Sequence, residues 1–383
     1  MKISRIQVDN FKSLVGFELE LASFNCLVGL NGAGKSTVLQ VLDFIAQQFK
    51  GDIDGWLSVR QWMAADLNSR LTKKSNIELE VELEHEGGVV KWKASFNRVS
   101  LRCTSETVKW NQKNLLKVEE GKFTIWNLEK PDVSPIKVEI AFDYQGSILS
   151  QLKESQIPGL FAKLKYFFVQ LESLDLLSPE LLRTRTREAK GQLGLGGQNL
   201  SAFLFELDKD KHTSLLRGLK KIYPQLDTFS AKSIRSGWKL LSIEEKYQDH
   251  ILKSDARHIN DGMLRMMAVL SQFFSEHSFL LFDEIENGIN PELVEFLMKV
   301  LVKSDKQVLV TTHSPMILNY LDDDVAQAGV IYLYKTEQGY TQAIPLFGIP
   351  SMAEKLRVMG PGEAFVDTDL TQLANEINRI PQQ

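Results

Sequence analysis

Residues 24–36 read FNCLVGLNGAGKS, and this stretch decides the fold. Phe24–Val28 is a short apolar run suited to a buried strand, and Gly29–Ser36 fits G-x-x-x-x-G-K-[ST] at every position. The segment that follows, KSTVLQVLDFIAQQF (35–49), carries its apolar residues at helical spacing. Strand, glycine-rich loop and helix thus come in the order that a phosphate-binding loop needs. Glycines let backbone N–H groups wrap an anion, and the helix N-terminus adds partial positive charge. The candidate contacts are Gly29, Leu30, Asn31, Gly32, Ala33, Gly34, Lys35, Ser36 and Thr37. Lys35 is expected to reach the β- and γ-phosphates of ATP, and Ser36 to place its hydroxyl on Mg²⁺.

Two later stretches complete this chemistry. FLLFDE (279–284) is an apolar strand ending in adjacent acids. Beside a phosphate loop, Asp283 is the expected Mg²⁺ ligand, and Glu284 the group that orients or deprotonates the attacking water. VLVTTHSP (308–315) puts His313 at the end of the next strand, where ligands gather in open α/β sheets. His313 is therefore a candidate reporter of the γ-phosphate. Asp283 comes 248 positions after Lys35, which implies a sizeable insertion, larger than a compact hexameric AAA+ module carries.

Around these motifs the patterning is mixed. Residues 1–28 read as two or three short strands, and 76–143 as an antiparallel sheet with a hairpin signal at Gly87-Gly88. Residues 147–224 look largely helical, and from 255 onward helix, strand, helix and strand alternate as in a parallel sheet. Expected boundaries are 1–145, a helical insertion over 146–250, and 251–383. RHINDGMLRMMAVLSQFF (257–274) is an amphipathic helix with Asn260 or Asp261 as its cap.

Bulk properties narrow the function classes. The 383 residues carry a net charge of −4 with a pI near 6.0, so no overall basic footprint marks a nucleic-acid binder. Cys26 and Cys103 lack metal-ligand spacing and read as reduced core thiols. No apolar stretch reaches 18 residues, so a cytoplasmic protein away from the membrane is expected.

Together these motifs resemble the ABC-type ATPase heads of the SMC/RecF class, above all the OLD-like ATPases of bacterial phage-defence loci. The resemblance rests on ISRIQVDNFKSL, GLNGAGKS, FLLFDE, ENGINP (286–291), TTHSP and LLRTRTREAKGQLGLGGQNLSAFLFEL (181–207). It implies an α/β ABC-type P-loop head with a mixed or parallel core sheet, an antiparallel β subdomain and an inserted helical lobe. By the same resemblance INDGM is the signature segment, with Asn260 standing where the family usually has serine. Asn260, Asp261 and Gly262 would then contact the ATP of a second subunit. Lys12 is a candidate nucleotide-side contact, and Gln145 or Gln170 a candidate Q-loop glutamine. The implied partners are a second copy, as a homodimer or higher homo-oligomer, and a separately encoded effector such as a nuclease. The 70 residues after His313 are too few for the Toprim nuclease that follows the ATPase in OLD-like proteins. A DNA-binding repair or maintenance ATPase of RecF type is the alternative, drawing on Arg183, Arg185, Arg187, Lys190, Arg217, Lys220 and Lys221. A nucleotide-gated scaffold with little turnover is a third reading.

Overall fold

The computed structural model describes residues 1–126, 134–153, 157–174 and 177–379. The chain divides into two compact units. The first comprises Met1–Leu171, Gln327–Lys355 and Leu370–Gln383; the second comprises Glu172–Ala326 and Leu356–Asp369. Strands and helices are numbered along the chain.

The first unit opens with β1 (Lys2–Asp9), β2 (Phe17–Glu20) and β3 (Phe24–Val28), followed by α1 (Lys35–Lys50) and α2 (Ile53–Arg60). Then come β4 (Asn76–His85), β5 (Gly88–Asn97), β6 (Arg102–Trp110), β7 (Lys113–Glu119), β8 (Lys122–Ile125), β9 (Ile136–Glu139) and α3 (Gly159–Val169). Eight of these strands form one antiparallel sheet in the order β2-β1-β4-β5-β6-β7-β8-β9. Its register follows the alternation in NIELEVELEH: Ile77, Leu79, Val81 and Leu83 are buried. On the opposite face Glu82 of β4 meets Lys91 of β5 at 3.1 Å, a cross-strand pair of the kind that fixes register. The β4–β5 turn is Glu86-Gly87, both at positive φ, one residue earlier than the glycine pair suggests. Gly88 instead pairs with His85, and a Cβ on it would meet the Trp110 ring at 2.4 Å.

Helix α1 is buried nearly all round, with the polar side chains of Asp43, Gln47 and Gln48 buried beside its apolar ones. Phe44 packs on Phe11 and Phe96, while Phe49 stacks on Phe168 of α3 with centroids 4.4 Å apart. Later in the chain β16 (Val330–Lys335) lies parallel to β3, with Val28 opposite Tyr332, and β17 (Thr341–Pro345) runs antiparallel to β16. Helices α10 (Pro350–Leu356) and α12 (Leu370–Ile377) follow.

The second unit begins with β10 (Glu172–Leu174), α4 (Pro179–Leu182), α5 (Leu200–Glu206) and α6 (Lys209–Ile222). An antiparallel sheet comes next, formed by β11 (Leu226–Ser233), β12 (Lys239–Tyr247) and β13 (His250–Asp255). Of these strands β11 and β12 lie where the sequence suggested a helical insertion over 146–250. The rest follows the expected alternation: α7 (Asp261–Ser271), β14 (Phe279–Phe282), α8 (Pro291–Val302) and β15 (Gln307–Thr311). β10, β14 and β15 are parallel neighbours, and all four residues of β14 are buried. Helix α9 (Asp323–Gly329) carries the chain back to the first unit, and α11 (Pro361–Val366) belongs to the second.

Candidate functional site

In the first unit the loop after β3 is shaped by glycines, two of which leave no room for a Cβ. Gly29 has φ 148°, and a Cβ there would lie 2.4 Å from the Leu333 carbonyl oxygen. Gly34 has φ 113°, and its Cβ would lie 2.5 Å from Thr341 Oγ1. Gly32, at φ 77°, faces open space. Gly34 is also the N-cap of α1 and supplies no side-chain cap, so no side chain competes with an anion for the first-turn N–H groups. Lys35 is 4 % exposed, and its ammonium donates to Gly29 O at 2.8 Å and Leu30 O at 3.3 Å. Ser36 and Thr37 begin the helix, and Leu30, Asn31 and Gly32 are exposed at the loop crest. This cradle suits the phosphates of a nucleotide: glycine backbone, an open helix start and a lysine folded over the loop.

Thr341 holds the loop from below. It is fully buried; its hydroxyl donates to Ala33 O at 2.8 Å and accepts from Lys335 Nζ at 2.8 Å, while its N–H bonds to Ser13 O. Nothing in the sequence pattern marked this residue, because 308 positions separate it from Ala33.

In the second unit the ends of β14 and β15 bring Asp283, Glu284 and His313 together. Asp283 accepts a hydrogen bond from Thr311 Oγ1, and the Glu284 N–H donates to the same hydroxyl at 2.9 Å. Glu284 has φ 46°, a left-handed conformation that costs a non-glycine residue energy. Its Oε1 lies 3.1 Å from His313 Nε2, and its Oε2 accepts from Asn287 Nδ2 at 3.1 Å. Both Glu284 and His313 side chains are 42 % exposed, so water reaches the pair. Glu286, which the sequence left as one more acid, takes three hydrogen bonds from residues 312–314.

The head of α7 is a built cap. Asn260 Oδ1 accepts from Met263 N at 2.8 Å, and among the described residues Nδ2 makes no hydrogen bond. Asp261 pairs with Arg183, whose Nη2 also donates to Ile259 O at 2.7 Å. Gly262 is close-packed: a Cβ would stand 3.2 Å from Gly288 O and 3.7 Å from Tyr223 Oη. Burial pushes the Tyr223 phenol up to about 12, so it stays neutral beside this turn. Burial also lowers Arg265, one turn on, against the opposing pull of Asp261 and Glu284.

A family model described as an AAA ATPase domain matches residues 1–262, from β1 through the phosphate loop to the head of α7. The chain belongs to the AAA ATPase domain family. Over 104 residues this AAA ATPase is 31 % identical to an OLD nuclease of Thermus scotoductus. The match takes in 27 % of this chain and only 17 % of that relative's length. The fold is that of an SMC head. An SMC head solved with the C-terminal winged-helix domain of ScpA aligns over 90 % of this chain and 97 % of its own, with a TM-score of 0.54 and 14 % identity. An SMC head with an extended coiled coil, bound to the C-terminal domain of ScpA derived from Pyrococcus furiosus, aligns over 93 % and 99 % (TM-score 0.53, 11 % identity). The ATPase is thus an α/β P-loop domain with the fold of an SMC head, similar over a short stretch to an OLD nuclease.

The remaining candidates of the AAA ATPase occupy defined places. Lys12 lies 3.3 Å over the Trp62 ring centroid and donates to Gln40 Oε1 at 2.8 Å. Gln145 clasps the start of α2 through Asp54 N and Oδ2, and Gln170 closes α3 as its C-cap. Of the basic run proposed for DNA, Arg183 is committed to Asp261 and Ile259, and Arg187 lies over Trp238 at 5.1 Å. No helix among the described residues is long and apolar enough to cross a membrane.

Proposed function

We propose that this ATPase is a nucleotide-driven switch that closes as a homodimer and controls a separately encoded effector in bacterial antiphage defence. The observation that carries the reading is the Glu284–His313 pair, a carboxylate and an imidazole 3.1 Å apart and open to water at the strand ends. A carboxylate so placed can take a proton from water, and a neighbouring histidine can register a phosphate group. The backbone of Gly29–Thr37 holds the phosphates of ATP, with Lys35 moving from the Gly29 and Leu30 carbonyls onto them. Ser36 and Asp283 offer the hard oxygen donors that Mg²⁺ prefers. Bound there, Mg²⁺ would neutralise phosphate charge.

A second copy contributes Asn260, Asp261 and Gly262. Asn260 spends its amide oxygen on the cap, as a serine hydroxyl would, and keeps Nδ2 as an exposed donor for the facing γ-phosphate. Glu284 directs water, hydrolysis removes the group both copies grip, and the dimer loosens. The OLD resemblance over 104 residues supports the defence setting, and the wider activity of that relative is not carried over with it.

The test is Glu284→Gln with MgATP. Light scattering after size exclusion should show a dimer that the parent forms only transiently, and the locus carrying the variant should lose its effect on phage plating. A monomer with bound ATP and undiminished turnover would remove both Glu284 and the switch.

A further inference from the structure

One carboxylate oxygen gathers three donors. Glu286 Oε1 accepts from Thr312 Oγ1 at 2.9 Å, His313 N at 2.7 Å and Ser314 N at 3.0 Å. The chain just before it is tied to the same neighbour, since Glu284 N bonds to Thr311 Oγ1 and Ile285 N to Thr311 O. With the bond from Thr311 Oγ1 to Asp283, six hydrogen bonds therefore tie the chain after β14 to residues 311–314, and the peptide N–H of His313 makes one of them. The other oxygen of Glu286 is buried with no hydrogen-bond partner among the described residues.

We propose that Glu286 is a positioning residue for hydrolysis, which fixes the main chain at His313 and thereby holds the imidazole 3.1 Å from Glu284. This rests on the roles proposed above for Glu284 and His313. Glu286 does not touch the nucleotide or the water. It acts through the chain at residues 312–314, His313 N among its three donors, so its loss lets the imidazole drift while the phosphate loop stays whole. Small errors in such a pair are costly, because an ångström of misplacement can remove much of the rate.

The experiment is a double-mutant cycle in the full chain, read as kcat and KM for ATP. Glu286→Ala should lower kcat roughly tenfold or more, with KM within about twofold of the parent. Glu286→Gln keeps an acceptor oxygen and should recover kcat to within about threefold. In a His313→Ala background, Glu286→Ala should cost nothing further, because residues acting through one group do not add. Full kcat in Glu286→Ala, no recovery in Glu286→Gln, or losses that multiply in the double variant would each overturn the proposal. The two readings separate cleanly. His313→Ala at full speed sinks the proposed site itself, whereas a slow His313→Ala beside a fast Glu286→Ala sinks only the role of Glu286.

Discussion

Glu284 Oε1 stands 3.1 Å from His313 Nε2, while Asn287 holds the other carboxylate oxygen at the same distance. Both oxygens of the candidate base are thus oriented before any substrate arrives. Glu284→Gln keeps the shape and the Asn287 contact but abolishes basicity. We expect kcat to fall about 100-fold or more with ATP affinity retained, since general-base catalysis contributes that order of rate. Steady-state phosphate release and equilibrium ATP binding check this together, and a loss of affinity matching the loss of rate would count against it.

Gly34 is a stringent position in the first unit. A Cβ at φ 113° would also stand 2.5 Å from Thr341 Oγ1, whose buried hydroxyl cannot swing away without releasing Ala33 O. Gly34→Ala should cost about 2 kcal/mol or more in urea unfolding and weaken nucleotide binding. A parent-like unfolding midpoint would show that the loop rearranges more freely than its packing implies.

Asn260 separates capping from subunit contact. Asn260→Ala removes the bond to Met263 N and should cost about 1 kcal/mol of stability. Asn260→Ser restores the cap and should melt like the parent, but offers a shorter donor. If Nδ2 serves the facing nucleotide, Asn260→Ser will change ATPase rate without changing the melting temperature. Equal rates for the two would assign Asn260 to the cap alone.

Glu106 gives a pH dependence remote from the site. It is fully buried in β6, where Oε1 accepts from Trp92 Nε1 at 2.8 Å and from Ser147 Oγ, and Oε2 from Ile148 N at 3.0 Å. Burial raises its carboxyl above the ordinary 4.5, outweighing these three donors. The folded value exceeds the unfolded one, so its contribution is complete below the unfolded value and is lost as pH climbs through the folded one. Gln cannot titrate. The stability of the parent relative to Glu106→Gln should therefore improve as pH falls from 7 towards 4.5, measured by urea melts. A margin that shrinks over that interval would contradict the direction.

What the sequence made legible follows from how local each signal is. The β3–loop–α1 unit and the clean alternation of Asn76–His85 are written in consecutive residues, so both could be read directly. The strands β11–β13 could not. Their outer positions, such as His250–Lys253, are exposed on both faces, and LLSIEEKY lacks strict alternation. Glu286 and Thr341 escaped for a different reason. Each acts through main-chain groups that lie 27 or more positions away in the sequence, and only folding sets them opposite. Asp283, Glu284 and His313 were recognisable as types, but the left-handed φ of Glu284 was not.

The Thr341 latch bears on how the chain is made. A ribosome that has released residues 1–50 has already exposed the entire phosphate loop, yet the hydroxyl that braces Ala33 is still nearly 300 residues from synthesis. β3 must also wait for its parallel neighbour β16. The bracing of the N-terminal motif is consequently incomplete on the nascent chain until the hairpin at 330–345 has been made.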